Sequence, residues 1–197
     1  PGKDRPSTIL VWDVKNPQPI REIPAPVTCL ALTPDGTLLA SGNRRGETTV
    51  WPLPKGEPIP VLPGTSTMVR CLDFVQSPMR GAKGERSWLL AAGYAGGSAA
   101  VWDLATGACL SRMSAVGAGE LAGFDRNAVA FHPNGTVLAV AGRGAPHLYD
   151  VFTGRFLLEL GRPAAINWIT GVAFSPDGNF LAESGRPFNR GEPGGSQ

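Results

Sequence analysis

The sequence predicts an all-β protein assembled from repeated four-stranded antiparallel sheets, and three observations carry that prediction. An apolar alternation ending in a Pro-Gly turn recurs as VTCLALTPDG at 27–36, AVAFHPNG at 128–135 and ITGVAFSPDG at 169–178. An apolar strand closing on an aromatic recurs as ILVWDV at 9–14, TTVWPL at 48–53, AAVWDL at 99–104 and HLYDV at 147–151. Gly 26 and Pro 19 together make 45 of 197 residues, about twice average usage, so the chain is dense in turns and its elements are short.

Taken in order, the chain starts with PGKDRPST, a polar lead-in that lacks the apolar core of a signal peptide. Strands at about 9–14 and 18–23 follow as the third and fourth strands of a first sheet. A complete unit then opens on VTCLAL, turns at Pro34 and Gly36, and reaches its aromatic mark at Trp51. The next opens on VRCLDF at 69–74, runs into a longer loop across SPMRGAKGER at 77–86, and reaches Trp102. A third opens on AVAF, turns at Pro133 and Gly135, and reaches Tyr149. The last gives only a first and second strand, about 169–174 and 179–184, around Pro176 and Gly178. Residues 185–197, GRPFNRGEPGGSQ, lack an apolar pattern and read as a cut turn or flexible tail.

Each segment reads as strand because Val, Leu, Phe and Trp alternate with small or polar residues at period two, and no segment sustains a helical stripe. In TPDG and SPDG, Pro presets φ, Asp or Asn bonds its own backbone, and Gly accepts positive φ. Gly107 and Gly154, in ATG and FTG, serve the turn after the aromatic. The marks Trp12, Trp51, Trp102 and Tyr149 stand 39, 51 and 47 residues apart, around the roughly 40–45 residues of one four-stranded propeller blade. The insertion at 77–86 accounts for the long interval.

These turns, the strands ending in VWD or LYD and the following TG resemble the WD-repeat family over almost the whole chain. The resemblance implies a β-propeller with about four blades' worth of chain, three complete and two half, over 1–184. The breaks are expected near 24–27, 63–69, 114–127 and 161–169. Family rings usually carry about seven blades, so the chain is expected to be a fragment of a larger ring, although the two halves could also pair to close a four-bladed one. A fragment would leave terminal faces in water and could self-associate through them. The family's buried polar tetrad is missing: no His precedes the first strands, and Arg45 and Gly96 stand where its turn Asp belongs.

The formal net charge is +2 and the pI near 8.7, a near-balance that does not point to nucleic acid. No apolar run reaches the roughly 18 residues of a membrane span. Cys29, Cys71 and Cys109 form no CxxC pair, which argues against a disulfide framework or zinc site and for a reducing, cytoplasmic setting. No cofactor motif is present. Asp13, Asp103 and Asp150 follow the aromatic marks as acceptors for turn amides and lack the partner acid that hydrolysis needs. His132 reads as a solvated turn residue and His147 as an isolated imidazole. Val27, Leu30, Leu32, Val69, Leu72, Phe74, Val129, Phe131, Ile169, Val172 and Phe174 are the expected first-strand core.

In such propellers partners dock on the face formed by the loops between the second and third strands and between successive blades. Here those loops carry Asn43, Arg44, Arg45, Met68, Arg70, Tyr94, Arg126, Arg143 and Trp168. Arg and aromatics dominate interface energy, so an acidic or phosphorylated protein segment is the expected partner. Arg80, Lys83 and Arg86 form a second basic group on the opposite face. The expected function is a non-catalytic scaffold, with a propeller enzyme using the central channel, or a purely structural domain, as the alternatives.

Overall fold

The computed structural model describes residues 7–62, 66–81, 84–114, 127–142, 144–161 and 168–186. Among them there is no α-helix, and the strands fall into five antiparallel sheets in strict chain order. A two-stranded hairpin, β1 (Thr8–Trp12) and β2 (Pro19–Pro24), comes first. The first blade follows as β3 (Cys29–Leu32), β4 (Leu38–Gly42), β5 (Thr48–Pro52) and β6 (Ile59–Leu62). The second holds β7 (Val69–Arg80), β8 (Arg86–Tyr94), β9 (Ser98–Asp103) and β10 (Cys109–Ser114). The third holds β11 (Ala128–Phe131), β12 (Val137–Ala141), β13 (His147–Asp150) and β14 (Phe156–Glu159). A final hairpin pairs β15 (Trp168–Phe174) with β16 (Leu181–Arg186). These are β-propeller blades, three complete and two half.

The repeat is one of register as well as of residue type. Leu39 lies opposite Trp51, Leu90 opposite Trp102, and Leu138 opposite Tyr149, so each mark sits at the same place in its sheet. The turns are held alike. Asp35 Oδ1 accepts from Thr33 Oγ1 at 2.6 Å and Thr37 N at 3.0 Å, while Gly36, at φ 70°, sends its N–H to Thr33 O at 2.9 Å. Asn134 and Asp177 accept in the same way in the corresponding turns. Beyond the aromatic marks, Asp13, Asp103 and Asp150 accept the N–H groups of Lys15, Ala105 and Thr153.

Apolar packing runs between the sheets in three layers. Ile9 and Ile23 of the first hairpin pack on Leu39 and Trp51; Val50, Phe74, Leu90 and Trp102 fill the next layer; Leu89, Val101, Phe131 and Leu138 fill the third. The middle blade is covered on both sides, which explains why its strands read as the continuous runs WLLAAGY and SAAVW rather than as alternations.

Three readings of the sequence need correction. The segment 77–86 is not a loop throughout: β7 runs on to Arg80 and β8 begins at Arg86, and the two pair there, with a register shift after Gln76. Leu30 and Leu32 are exposed rather than core, because β1 and β2 bring no first or second strand to cover them. His132 is half-buried, not solvated: its Nε2 lies 3.2 Å from Gly178 O and its ring meets Phe174 edge-on at 5.1 Å. The two terminal hairpins stand as separate sheets, so they do not close a four-bladed ring with each other in this structure.

The aromatic marks sit in graded surroundings. Trp102 is fully buried and Tyr149 nearly so, Trp51 is intermediate, and Trp12 is 50% exposed. The gradient follows from position, since the sheet of Trp12 holds two strands among the described residues. Trp51 keeps one element of the missing tetrad, an indole N–H donated to Ser41 Oγ at 2.9 Å. At the equivalent place in the second blade stands Ala92, and Trp102 Nε1 is buried with no acceptor.

Candidate partner-binding end of the blades

One end of the blade row is built from the turns joining second to third strands and the starts of the next first strands. Main-chain bonds lock these together: Val69 N donates to Asn43 O at 2.9 Å, and Ile169 N to Gly142 O at 2.9 Å. Between the second and third blades a side chain does this work. Buried Asn127 donates through Nδ2 to Tyr94 O at 3.1 Å and Ser98 O at 2.8 Å.

Asn43 organises the first of these turns. Its Oδ1 accepts the N–H groups of Arg45 and Glu47, and its Nδ2 donates to Glu47 Oε2 at 2.6 Å. The side chain is therefore structural, and it fixes the backbone from which exposed Arg44 and Arg45 project. Arg70 immediately follows Val69, which is bonded to this turn, and is half-buried, as is Met68. The backbone positions of Arg44, Arg45, Met68 and Arg70 thus fall at one end, where the Glu47 carboxylate is held by Asn43 Nδ2.

Tyr94 does not belong to this surface. Its ring is fully buried in the layer between the first and second blades, because the end of β8 pairs with Val69 and turns the side chain inward. Burial pushes the phenol's titration well up. Arg126 and Arg143 lie outside the described residues, as does the side chain of Trp168. On the extended hairpin, Arg80 Nη1 donates to Gly84 O at 2.9 Å and Arg86 Nη1 to Gln76 Oε1 at 3.1 Å; Lys83 lies outside the described residues. These two arginines brace the hairpin.

Other polar groups act between blades, and the sequence reading missed them. Asp73 Oδ2 accepts Phe131 N at 2.7 Å while its Oδ1 accepts Phe74 N at 2.9 Å, which clips the second blade to the third. Burial raises its carboxyl titration, and these two bonds oppose the rise. Thr28 Oγ1 donates to Val69 O at 2.7 Å, Ser111 Oγ to Val151 O, and Tyr149 Oη to Ser114 O at 3.0 Å. The one signal available was an acid inside the apolar run VRCLDF.

Cys29 and Cys71 take matching places on β3 and β7, where desolvation raises both thiols, Cys71 to about 12. Thiols held protonated are poor nucleophiles. His147 is buried, with Nε2 3.7 Å from Glu159 Oε2. Among the described residues no three His, Cys, Asp or Glu side chains gather as a metal site would require, and no helix is long and apolar enough to cross a membrane.

Comparison with known proteins agrees with this architecture. The profile of the family described as WD domain, G-beta repeat matches residues 17–51 and 163–186. Over 78 residues the chain is 36% identical to the small ribosomal subunit protein RACK1 of Caenorhabditis elegans, an alignment covering 40% of this chain and 21% of RACK1. The chain thus spans about a fifth of that relative's length. In structure it is similar to the crystal structure of the computationally designed Ika4 protein, with a TM-score of 0.58 and 20% sequence identity over 81% of this chain and 84% of that one. At that identity the likeness speaks to fold alone.

Proposed function

Because this chain belongs to the WD-repeat family, we propose that it is a non-catalytic scaffold that binds an acidic or phosphorylated protein segment across the end carrying Arg44, Arg45, Met68 and Arg70. The observation that carries the reading is the locked Asn43 turn, which holds two exposed guanidinium groups beside the start of β7. A preorganised backbone lowers the entropy lost on binding, and Arg pairs with carboxylate or phosphate through parallel N–H donors. Met68 supplies a soft apolar contact next to those charges. The surrounding blades supply rigidity and little chemistry. A reducing, cytoplasmic setting fits three cysteines that are all free thiols.

Fluorescence anisotropy with acidic peptides and their phosphorylated forms tests this. Arg44→Glu/Arg45→Glu should weaken binding at least tenfold, reversing the local charge at a site where charged pairs contribute roughly 1–3 kcal/mol. It should leave the fold intact, since both side chains are exposed. Equal binding of acidic and basic peptides, or no effect of the double substitution, would count against the site. Turnover of a small molecule by the purified chain would favour the enzyme alternative.

A further inference from the structure

Asn134 alone among the asparagines of the sequence precedes a glycine, and the pair lies in the turn between β11 and β12. In a free chain such a pair is chemically unstable. Gly135 has no side chain to hinder its amide nitrogen, which as the anion attacks Asn134 Cγ. A bond forms from that nitrogen to Cγ and the Cγ–Nδ2 bond breaks; hydroxide takes the Gly135 proton, and ammonia leaves with a proton from water. Water then opens the cyclic imide at either carbonyl and returns a proton to the nitrogen. Opening at Cγ gives aspartate. Opening at the main-chain carbonyl gives isoaspartate, whose backbone runs through Cβ and Cγ and is one carbon longer.

In the fold, the nucleophile and the carbonyl it attacks are both engaged. Gly135 N donates to His132 O at 2.9 Å, and Asn134 Oδ1 accepts Thr136 N at 3.0 Å and Thr136 Oγ1 at 2.9 Å. The turn is also held from both sides. Toward the second blade, buried Gly135 lies so close that a Cβ there would stand 2.8 Å from Pro78 Cδ and 3.0 Å from Gln76 O. Toward the final hairpin, His132 Nδ1 accepts Asn134 N at 3.1 Å, which leaves Nε2 as the donor to Gly178 O at 3.2 Å. The corresponding turns carry aspartate in this place. Asp35 Oδ1 accepts Thr37 N at 3.0 Å and Thr37 Oγ1 at 2.7 Å, the same pair of donors that Asn134 meets.

We propose that Asn134 is a site of spontaneous deamidation that the closed turn guards, so that modification there records opening of this turn from the blades on either side. Asn134 is exposed, so water and hydroxide reach it; what the fold withholds is the freedom of the Gly135 nitrogen and of the Asn134 side chain. Attack requires the Gly135 bond and both bonds to Asn134 Oδ1 to break together. Three bonds contributing about fivefold each keep the folded chain about a hundredfold slower than the unfolded one. The two products then part ways. Aspartate takes the place that Asp35 and Asp177 hold in their turns and is the stronger acceptor. Isoaspartate lengthens a turn clasped between Pro78 and Gly178, which cannot then keep both contacts. First-to-second and second-to-third turns lie at opposite ends of antiparallel strands, so the inference is independent of what docks at the arginine end.

Peptide mapping by mass spectrometry of the 197-residue chain, incubated in mildly alkaline buffer with and without urea, tests it. In urea, Asn134 should exchange NH for O sooner than any other asparagine; in buffer alone the same change should be about a hundredfold slower. Thr136→Val removes one of the two bonds to Asn134 Oδ1 and should speed the reaction of the folded chain about fivefold without altering the rate in urea. Thr136→Ser, which keeps the hydroxyl, should match the unmodified chain, and both variants should keep the β-sheet circular dichroism. Asn134→Asp should unfold at the temperature of the unmodified chain or above it. The isoaspartyl form, separated after incubation in urea and refolded, should unfold at a lower temperature. Deamidation as fast in buffer as in urea, another asparagine reacting first in urea, a folded Thr136→Val chain with unchanged rate, or an isoaspartyl form as stable as Asn134→Asp would overturn the proposal.

Discussion

Replacing Ala92 by Ser should stabilise the protein, although it places a hydroxyl in a fully buried site. Trp102 is 0% exposed and its indole N–H has no acceptor, so the native fold bears the desolvation of that donor, on the order of 1–3 kcal/mol. In the first blade the same strand pair solves the problem, with Ser41 Oγ 2.9 Å from Trp51 Nε1. Ala92 holds the place of Ser41, two residues after the leucine opposite the tryptophan. A serine there gives Trp102 its acceptor and gives the new hydroxyl its partner. The net gain should be about 1 kcal/mol, or roughly 2–4 °C in Tm for a chain of this size. Thermal unfolding followed by circular dichroism measures it, with Ala100→Ser, also buried and on the neighbouring strand, as a control expected to destabilise. A fall in Tm for Ala92→Ser equal to that of the control would mean that the two tryptophans do not occupy equivalent places.

Trp102→Ala should cost about 3–5 kcal/mol by emptying a buried aromatic site, whereas Trp12→Ala, half-exposed, should cost less than about 1 kcal/mol; chemical denaturation separates them. Gly42→Ala should destabilise by about 1–3 kcal/mol, since a Cβ there would lie 2.5 Å from Cγ1 of fully buried Val69. Asp35 and Asp177, each held by a side-chain hydroxyl and a turn amide, should titrate below aspartate in the unfolded chain when followed by NMR. Their support of the fold is in place above the unfolded titration and is lost as pH falls through the folded one. Asp73 carries the opposite sign: burial raises its titration, so its contribution favours the fold at low pH and declines as pH rises through the raised value.

The blade repeat was legible because its signals are local. Pro34, Asp35 and Gly36 determine a turn whatever surrounds them, and Trp51 and Trp102 mark third strands by spacing alone. What a strand faces is not local. Leu30 and Leu32 look like Leu72 and Phe74 in sequence, yet the first pair is exposed because, among the described residues, the sheet beside it holds two strands. Tyr94 reads as a loop residue since Gly96 and Gly97 follow it; only pairing with Val69 turns its ring inward. Pro78, Gly81 and Gly84 suggested an irregular loop at 77–86. The register shift between Gln76 and Arg80 instead leaves Pro78 out of the ladder, where it has no N–H to offer. Of the arginine end, the residue types and their turn were readable. The Asn43 and Asn127 bonds that lock the turns were not, since they depend on contacts between blades.

The central claim is that each stretch of forty to fifty residues folds into the same sheet in the same register. Cross-strand NOEs between the backbone protons of Leu39 and Trp51, Leu90 and Trp102, and Leu138 and Tyr149 test it most directly. The account predicts all three contacts in one spectrum. Finding one or two of them with the third aromatic paired to a different neighbour would contradict it.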